Sequence, residues 1–332
     1  MTTAAGLPPS PELSPAADPT SSPRRSAPKA VHRRAARRAG HGSPRAAVPA
    51  IVYLLAFVGA PLAIVVAYSV MSRGMFGVGV AADFSLESYV RLLFDRDFDG
   101  TLQFDPRYLE VFWNSIWLAG LTTVLCLLVA FPTAIWMATR PTRVRNLLVF
   151  AITLPFWTNT LVRTYAWMLI LNDNGLANWA LTATGIVDKP VQLLYTTFAT
   201  SIGLVYVFLP FMVLPIYASA EKFDFRLAEA AYDLGARRCT VIRRVVLPAV
   251  KPGLIAGVAL VFIPALGAFL QPELLGGGRT LMLGNLIQQQ FSASRNWPFG
   301  SAVAVGLLVL TLVVLMVFAL VARRVGQKVR PM

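Results

Sequence analysis

Side chains that commonly carry catalysis are almost absent from the apolar part of this chain. The two histidines, His32 and His41, both lie within the first 46 residues, so the remainder offers no imidazole for a catalytic triad, a metal site or a proton relay. None of the five lysines has the preceding glycine and the following serine or threonine that a phosphate-binding loop requires. We therefore expect this chain to have no catalytic residue, no metal and no bound cofactor.

One polar segment, residues 220–250, nevertheless shows internal order. Its apolar positions recur at helical spacing and its two acids share the opposite side, which predicts a short amphipathic helix. Gly235 follows the last apolar position, where a left-handed C-terminal cap favours glycine. A second helical stretch, from Arg237 to Val246, is predicted to end at Leu247-Pro248. The apolar positions are Leu227, Ala230, Ala231 and Leu234, and the acids are Glu229 and Asp233.

Six apolar runs flank the polar loops, and each is long enough to cross a membrane. The chain is 56% hydrophobic and only 14% charged, with a mean hydropathy of +0.61, unlike a water-soluble domain. Apolar runs above about 18 residues match a hydrocarbon core roughly 30 Å thick. These runs are too long and alternate too little for barrel strands of about 10 residues. We predict six continuous transmembrane helices: Ala47–Val70, Ser115–Met137, Asn146–Leu171, Thr197–Ala218, Gly253–Leu275 and Gly300–Val321.

The distribution of charge predicts the orientation of these helices. Residues 1–46 carry eight bases and two acids, loop 71–112 carries four bases and seven acids, and loop 219–252 carries seven bases. Because Lys and Arg in short loops stay on the cytoplasmic side, we expect loop 71–112 to be external, and segment 220–250 and both termini to be cytoplasmic. The same distribution accounts for the net charge of +14 without a nucleic-acid-binding groove.

Three regions are predicted along the chain: a disordered basic cytoplasmic tail (1–46), a transmembrane domain (47–325) and a short cytoplasmic tail (326–332). The first tail has too few large apolar residues to offset the entropy of ordering. Its bases could simply determine the topology, or they could attract anionic lipid headgroups. In the external loop 71–112 we expect short helices, with Ser85 as the cap of one from Leu86 to Phe94.

The order within segment 220–250 resembles the EAA loop of ABC importer permeases. The pattern is Glu229-Ala230-Ala231, three residues, Gly235, nine residues, then Val245-Val246-Leu247-Pro248, with Val245 in place of the usual isoleucine. The resemblance implies a coupling helix that docks into a separate cytoplasmic ATPase, which would use ATP and Mg²⁺. An ordinary amphipathic helix at the membrane surface is the alternative. The implied coupling residues are Glu229, Ala230, Ala231, Gly235, Leu247 and Pro248.

Further runs are similar to the spermidine/putrescine permeases of the PotB/PotH type, and this similarity covers residues 85 to 325. The resemblance implies an all-α permease of the type I importer (MetI-like) fold, with six transmembrane helices, in the bacterial inner membrane. It also implies three partners: an ABC ATPase dimer, a second permease subunit of the PotC/PotI type or a copy of this chain, and an extracytoplasmic substrate-binding protein. The similar runs are 154–167, 172–176, 208–212 and 272–276.

A pathway for polyamines should offer carboxylates and aromatic faces, because both stabilise protonated amines. For the aromatic candidates, packing or a place in the interfacial belt is the simpler interpretation. Arg163, inside the third run, would either hydrogen-bond within the bundle or act in a gate. The pathway candidates other than Arg163 are Glu273, Asp173, Trp157, Tyr165 and Trp167.

Two features of the fifth run have simple structural interpretations. Gly253 and Gly257 form a GxxxG pair, which predicts a close contact between helices. Gln271 beside Pro272 could shape the pathway, or it could hydrogen-bond backbone groups that the proline leaves free.

Three other functions are alternatives to a polyamine importer. A permease of the same architecture could carry another solute, such as an iron complex, a phosphonate or an inorganic anion. An ion-coupled secondary transporter should show intramembrane acids or histidines and internal repeats, and the sequence shows neither clearly. A membrane enzyme should show a catalytic constellation.

Overall fold

The structure is a computed structural model that describes residues 44–74, 79–96 and 102–327. The chain divides into two compact units, Met1–Gly59 and Ala60–Met332, and the boundary falls inside the first helix. The predicted tails at 1–46 and 326–332 lie almost wholly outside the described residues, so both remain predictions.

The described chain is mainly helical, as predicted. The long helices are α1 (Pro44–Ser69), α3 (Arg107–Ala138), α7 (Thr197–Ala220), α10 (Leu247–Leu266) and α13 (Trp297–Gln327). The shorter helices are α2 (Glu87–Val90), α4 (Thr142–Thr153), α5 (Thr160–Leu171), α6 (Leu176–Ala183), α8 (Arg226–Asp233), α9 (Arg238–Val241), α11 (Leu270–Gly276) and α12 (Leu283–Ser292). A 3-10 turn at Leu154–Trp157 follows α4, and a π turn at Ile242–Val246 joins α9 to α10.

Five helical stretches in the described residues are long and apolar enough to cross a membrane. They are Val52–Ser69, Arg107–Ala138, Thr197–Ala220, Arg238–Leu266 and Trp297–Arg323. A bent pair, Thr142–Trp157 and Thr160–Ala183, would supply the sixth crossing. The predicted number of spans is therefore reached only when this pair is counted as one span.

The third predicted span is broken, which corrects the expectation of a continuous helix from Asn146 to Leu171. The two halves meet at 93°, because Thr158 and Asn159 both adopt extended backbone conformations. The side chain of Asn159 then accepts a hydrogen bond from the backbone N–H of Leu161 at 2.8 Å and starts α5. An asparagine cap of this kind favours a new helix start even within an apolar run.

The fifth predicted span is displaced towards the N-terminus. Helix α10 ends at Leu266, and residues 267–269 separate it from α11, so Gly253–Leu275 is not one helix. At its other end, helical structure does not stop at Leu247-Pro248 but continues from Arg238 to Leu266. Pro248 lies in the first turn of α10, where its missing N–H is tolerated, and a π turn precedes it.

Loop 71–112 contains strands that the sequence analysis missed. Strands β1 (Met71–Arg73) and β2 (Val80–Phe84) form one antiparallel hairpin, and β3 (Phe94–Arg96) and β4 (Leu102–Phe104) form a second. The predicted helix from Leu86 to Phe94 is only the single turn α2, because Phe94 pairs with β4. The hydroxyl of Ser85 does accept the backbone N–H of Glu87, at 3.2 Å.

Asp105 joins the second hairpin to the start of α3. Its carboxylate accepts the backbone N–H of Arg107 at 3.0 Å and the guanidinium Nε of the same residue at 2.6 Å. These hydrogen bonds to the ionised form lower the pKa of the Asp105 carboxyl below its ordinary value. The carboxylate therefore stays charged and holds the first turn of α3.

The core forms where α3, α7 and α10 pack together, with α13 alongside α10. The predicted GxxxG pair lies in this contact. A Cβ atom at Gly253 would overlap the carbonyl oxygen of Pro215 and the side chain of Ser219, and one at Gly257 would crowd Met212. The close helix contact is therefore confirmed, and α7 and α10 behave as one packed pair.

Candidate coupling and translocation sites

The coupling segment, residues 220–250, begins with a well-formed helix. The carboxylate of Asp224 accepts the backbone N–H of Arg226 at 3.1 Å at the start of α8. At the other end, the N–H of Gly235 donates to Tyr232 at 2.8 Å and the N–H of Ala236 donates to Ala231 at 3.0 Å. Gly235 has φ +80°. This is the Schellman cap that the position of the glycine predicted.

The apolar residues of α8 differ in how far they are buried. Ala228 is buried and Ala231 is half-buried in an apolar cluster with Val241 and Val246, so small residues anchor the helix. Leu227 is 58% exposed and Leu234 is 89% exposed, and Ala230 is exposed with them. The predicted amphipathic helix is present, but its four apolar positions differ in exposure: Ala231 is half-buried, whereas Leu227, Ala230 and Leu234 form an uncovered stripe.

The remaining coupling candidates lie on both sides of this contact. Glu229 is exposed on α8, on the side of the helix opposite the uncovered stripe. Leu247 is half-buried and Pro248 is exposed at the start of α10, between the buried residues Val246 and Val250. The EAA-like residues therefore occupy one continuous region, with the helix on the surface and its continuation built into the bundle.

An ion pair at the start of the coupling segment was not predicted from the sequence. The guanidinium Nη2 of Arg145, on α4, lies 3.0 Å from the carboxylate oxygen of Glu221, which directly follows α7. The pair connects the start of the bent span to the start of the coupling segment. A separation of 76 residues in sequence left no local pattern that could have predicted it.

Arg163 has partners within the bundle. Its Nη2 donates to the hydroxyl of Thr160 at 3.0 Å, and its guanidinium carbon lies 6.0 Å from the ring centre of Tyr206 on α7. Trp167 meets the same tyrosine edge to face, with ring centres 5.7 Å apart. Arg163 and Trp167 are therefore brought together at Tyr206, which favours the hydrogen-bonding interpretation of Arg163.

The other pathway candidates do not converge on that cluster. Trp157 is 85% exposed at the end of the 3-10 turn, and Tyr165 is exposed on α5. Asp173 is exposed just beyond α5. Exposed aromatic side chains on an apolar bundle fit lipid contact or an interfacial belt at least as well as a pathway.

Glu273 lies at a different place, on the short helix α11. Its carboxylate Oε2 accepts a hydrogen bond from the side-chain amide of Asn285, on α12, at 2.8 Å. The two residues line a polar cavity of about 350 Å³ between these helices. Gln271 is buried on the same helix near Gly203 of α7. Sequence reasoning found Glu273 and Gln271 but missed Asn285, which no motif marks.

Comparisons with known proteins agree with one another. Residues 130–330 match the family described as binding-protein-dependent transport system inner membrane component. The chain is 42% identical over 277 residues to the spermidine/putrescine transport system permease protein PotB of Haemophilus influenzae, covering 83% of this chain and 93% of that protein. It is 39% identical over 277 residues to PotB of Escherichia coli K12, covering 83% and 96%.

Solved structures show the same fold at low sequence identity. A crystal structure of a bacterial alginate ABC transporter, in complex with an alginate pentasaccharide-bound periplasmic protein, matches with a TM-score of 0.64 and 17% identity, over 84% of this chain and 92% of that chain. A second structure, of a bacterial ABC transporter involved in alginate import, matches with a TM-score of 0.60 and 19% identity, over 83% and 93%.

Proposed function

We infer that this chain, which belongs to the family of binding-protein-dependent transport system inner membrane components, is a permease subunit of an ATP-driven importer for polyamines. The helical importer-permease fold expected from the sequence is confirmed. The observation that carries the substrate class is the 42% identity to a spermidine/putrescine permease over 83% of the chain. Protonated amines are therefore the expected cargo.

The coupling segment supports a mechanical role within such an importer. The uncovered stripe of Leu227, Ala230 and Leu234 offers apolar surface that a cytoplasmic ATPase subunit would cover, and the exposed Glu229 offers a carboxylate for a polar contact at the other side of the helix. Apolar side chains left exposed on a short amphipathic helix are typical of a docking surface. The anchored side of α8 packs on α9 and the π turn, in an apolar cluster that continues to Ala220 and Val250, so displacement of this helix would be passed to the bundle through the start of α10.

The helical path into the bundle begins just after this docking surface. Helical structure runs without a break from Arg238 to Leu266, so force applied at the coupling segment would reach the end of α10. The cycle we propose is alternating access: closure of the ATPase pair on ATP favours one state of the bundle, and release after hydrolysis favours the other. Each partner biases the two states only through the contacts that differ between them.

The proposed partners are an ABC ATPase dimer, an extracytoplasmic substrate-binding protein, and a second permease subunit of the PotC/PotI type or a copy of this chain. ATP and Mg²⁺ would be used by the ATPase and not by this chain. The proposed location is the bacterial inner membrane, with both termini and the coupling segment in the cytoplasm. The positive-inside distribution of bases supports this orientation.

Uptake by vesicles that contain the complete set of partners tests the proposal. We expect saturable uptake of labelled spermidine or putrescine that requires ATP, and no uptake when the ATPase subunit is omitted. ATP-dependent uptake of an iron complex, a phosphonate or an inorganic anion, with neither amine transported, would disprove the polyamine substrate but keep the importer. Uptake driven by an ion gradient without ATP would favour a secondary transporter.

A further inference from the structure

Four arginines cluster where the coupling segment joins the bundle. They are Arg237, Arg238, Arg243 and Arg244, and we call them the arginine patch. The first directly precedes α9, the second begins α9, and the last two lie in the π turn that leads into α10. All four side chains are exposed. The salt bridges found in the described part of the chain involve none of them, so their positive charge is not compensated there.

The apolar residues of the same stretch are covered by the bundle. Val241, Val246 and Val250 are buried, in an apolar cluster that also takes in Ile135 and Ala138 at the end of α3. This cluster holds the stretch against the bundle and leaves the arginine patch on the surface. The patch can therefore present its charge to a partner outside the described chain.

The length of the helical stretch places the arginine patch at the membrane surface. Helix α10 has 20 residues, which extend over about 30 Å and so match the hydrocarbon core. The whole stretch from Arg238 to Leu266 has 29 residues, or about 43 Å, which matches a bilayer with its headgroup layers. When α10 crosses the hydrocarbon, the residues before it, and with them the arginine patch, lie in the headgroup layer.

The chemistry of the arginine patch fits phosphate esters. A guanidinium presents a planar fork of N–H donors that can bind two phosphate oxygens at once. Basic clusters immediately next to a membrane helix on its cytoplasmic side are typical of binding to anionic lipids. Ile242, between the two pairs of arginines, is 44% exposed. An apolar side chain exposed among bases suits the boundary between lipid and water.

We propose that the arginine patch binds the phosphate groups of anionic phospholipids, such as phosphatidylglycerol, in the cytoplasmic leaflet. The bound lipid holds the start of α10 at a fixed depth. Because the patch directly follows α8 and its glycine cap, the lipid anchors the point at which displacement of α8 enters the bundle. This inference rests on the proposed function for the choice of leaflet, but not for the choice of ligand.

Cys239 allows a direct measurement, because it is exposed within the arginine patch whereas Cys126 is buried. A fluorophore attached to Cys239 of the full chain in nanodiscs would be quenched by phospholipid that carries a nitroxide near the headgroup. We expect the association constant from quenching to be at least about tenfold higher for labelled phosphatidylglycerol than for labelled phosphatidylcholine. Added salt should reduce this preference, because exposed charges are screened. Equal quenching by the two lipids would overturn the inference.

Single variants show whether the arginine patch itself causes the preference. Arg244→Gln should lower it about fivefold, the effect of one base near an anionic surface. Arg244→Lys should give an intermediate value, because the charge remains but the fork is lost. Arg226→Gln is the matched control, since it removes an exposed base from the same segment outside the patch, and it should keep the wild-type preference. An equal fall in Arg226→Gln and Arg244→Gln would assign the preference to total charge and overturn the inference.

The same measurement distinguishes two other occupants. Loss of the preference on addition of inorganic phosphate, at constant ionic strength, would assign the arginine patch to a soluble anion. Its loss on addition of the ATPase subunit would assign the patch to protein docking. Either result would overturn the inference. The quenching requires neither ATP nor cargo, so absence of polyamine uptake by the wild-type transporter would reject the proposed function and leave lipid binding intact.

Discussion

At the scale of single residues, Gly235 controls the shape of the coupling segment. Its φ of +80° places the backbone in the left-handed region, where a side chain is disfavoured by roughly 1–2 kcal/mol. No atom lies within 4 Å of the position that its Cβ would occupy. A substitution there would therefore act through the backbone alone and would create no steric clash.

The variant Gly235→Ala tests this role. We expect less substrate transported per ATP hydrolysed, because the cap that directs α8 into α9 would be strained while the subunit still inserts. Gly185→Ala is the control, since Gly185 also has positive φ, at +69°, and open space at its Cβ, but follows α6 outside the coupling segment. The measurement is the ratio of uptake to ATP hydrolysis in vesicles. An equal fall in that ratio for both variants would contradict the role of Gly235.

At the scale of elements, the contact of α7 with α10 carries the packing of the bundle. The glycines on α10 let its backbone approach α7 so closely that the Pro215 carbonyl fills the space of a side chain. Small residues permit this approach where lipid supplies no hydrophobic drive between helices. The third span differs in shape, because extended residues at 158–159 divide it into two halves that meet at 93°.

The variant Gly253→Ala should weaken the α7–α10 contact. Its Cβ would meet a backbone oxygen, which cannot rotate away, so we expect a loss of about 1–3 kcal/mol of stability, the usual cost of overpacking. The measurement is the thermal unfolding temperature of the full chain in detergent. Gly120→Ala on α3 serves as the control, because no atom lies within 4 Å of that Cβ position. A fall of equal size in both variants would show that helix packing is not responsible.

At the scale of the whole molecule, the proposed mechanism depends on which side of the membrane holds the coupling segment. A cysteine of the chain can report on which side of the membrane this segment lies. Cys239 is exposed at the start of α9, whereas Cys126 is buried in the bundle. The native protein therefore carries one accessible thiol in the coupling segment and one inaccessible thiol.

Labelling with a membrane-impermeant maleimide should distinguish the two orientations. We expect inverted membrane vesicles to be labelled and intact spheroplasts to remain unlabelled, because the basic loop should face the cytoplasm. Cys239→Ser should remove the label from inverted vesicles and shows which thiol reacts. Labelling of intact spheroplasts through Cys239 would place the segment outside and reject ATP coupling through α8.

Hydropathy and local spacing determined much of this protein in advance. They located the apolar segments, the helix at residues 226–233 and its glycine cap, and the resemblance to importer permeases. These properties depend on neighbouring residues, so a pattern of a few positions is sufficient to predict them. The GxxxG contact was also predictable, because two glycines one turn apart leave few other interpretations.

Tertiary structure alone decided which surfaces meet. Ala231 is half-buried and Leu227 is exposed because α9 and the π turn supply a partner on only one side of α8. Asn285 meets Glu273, and Arg145 meets Glu221, because separate helices pack side by side. Hydrophobicity indicates how much surface a segment must bury, but it does not indicate which other segment covers that surface. Contacts between distant residues therefore follow from packing geometry rather than from local composition.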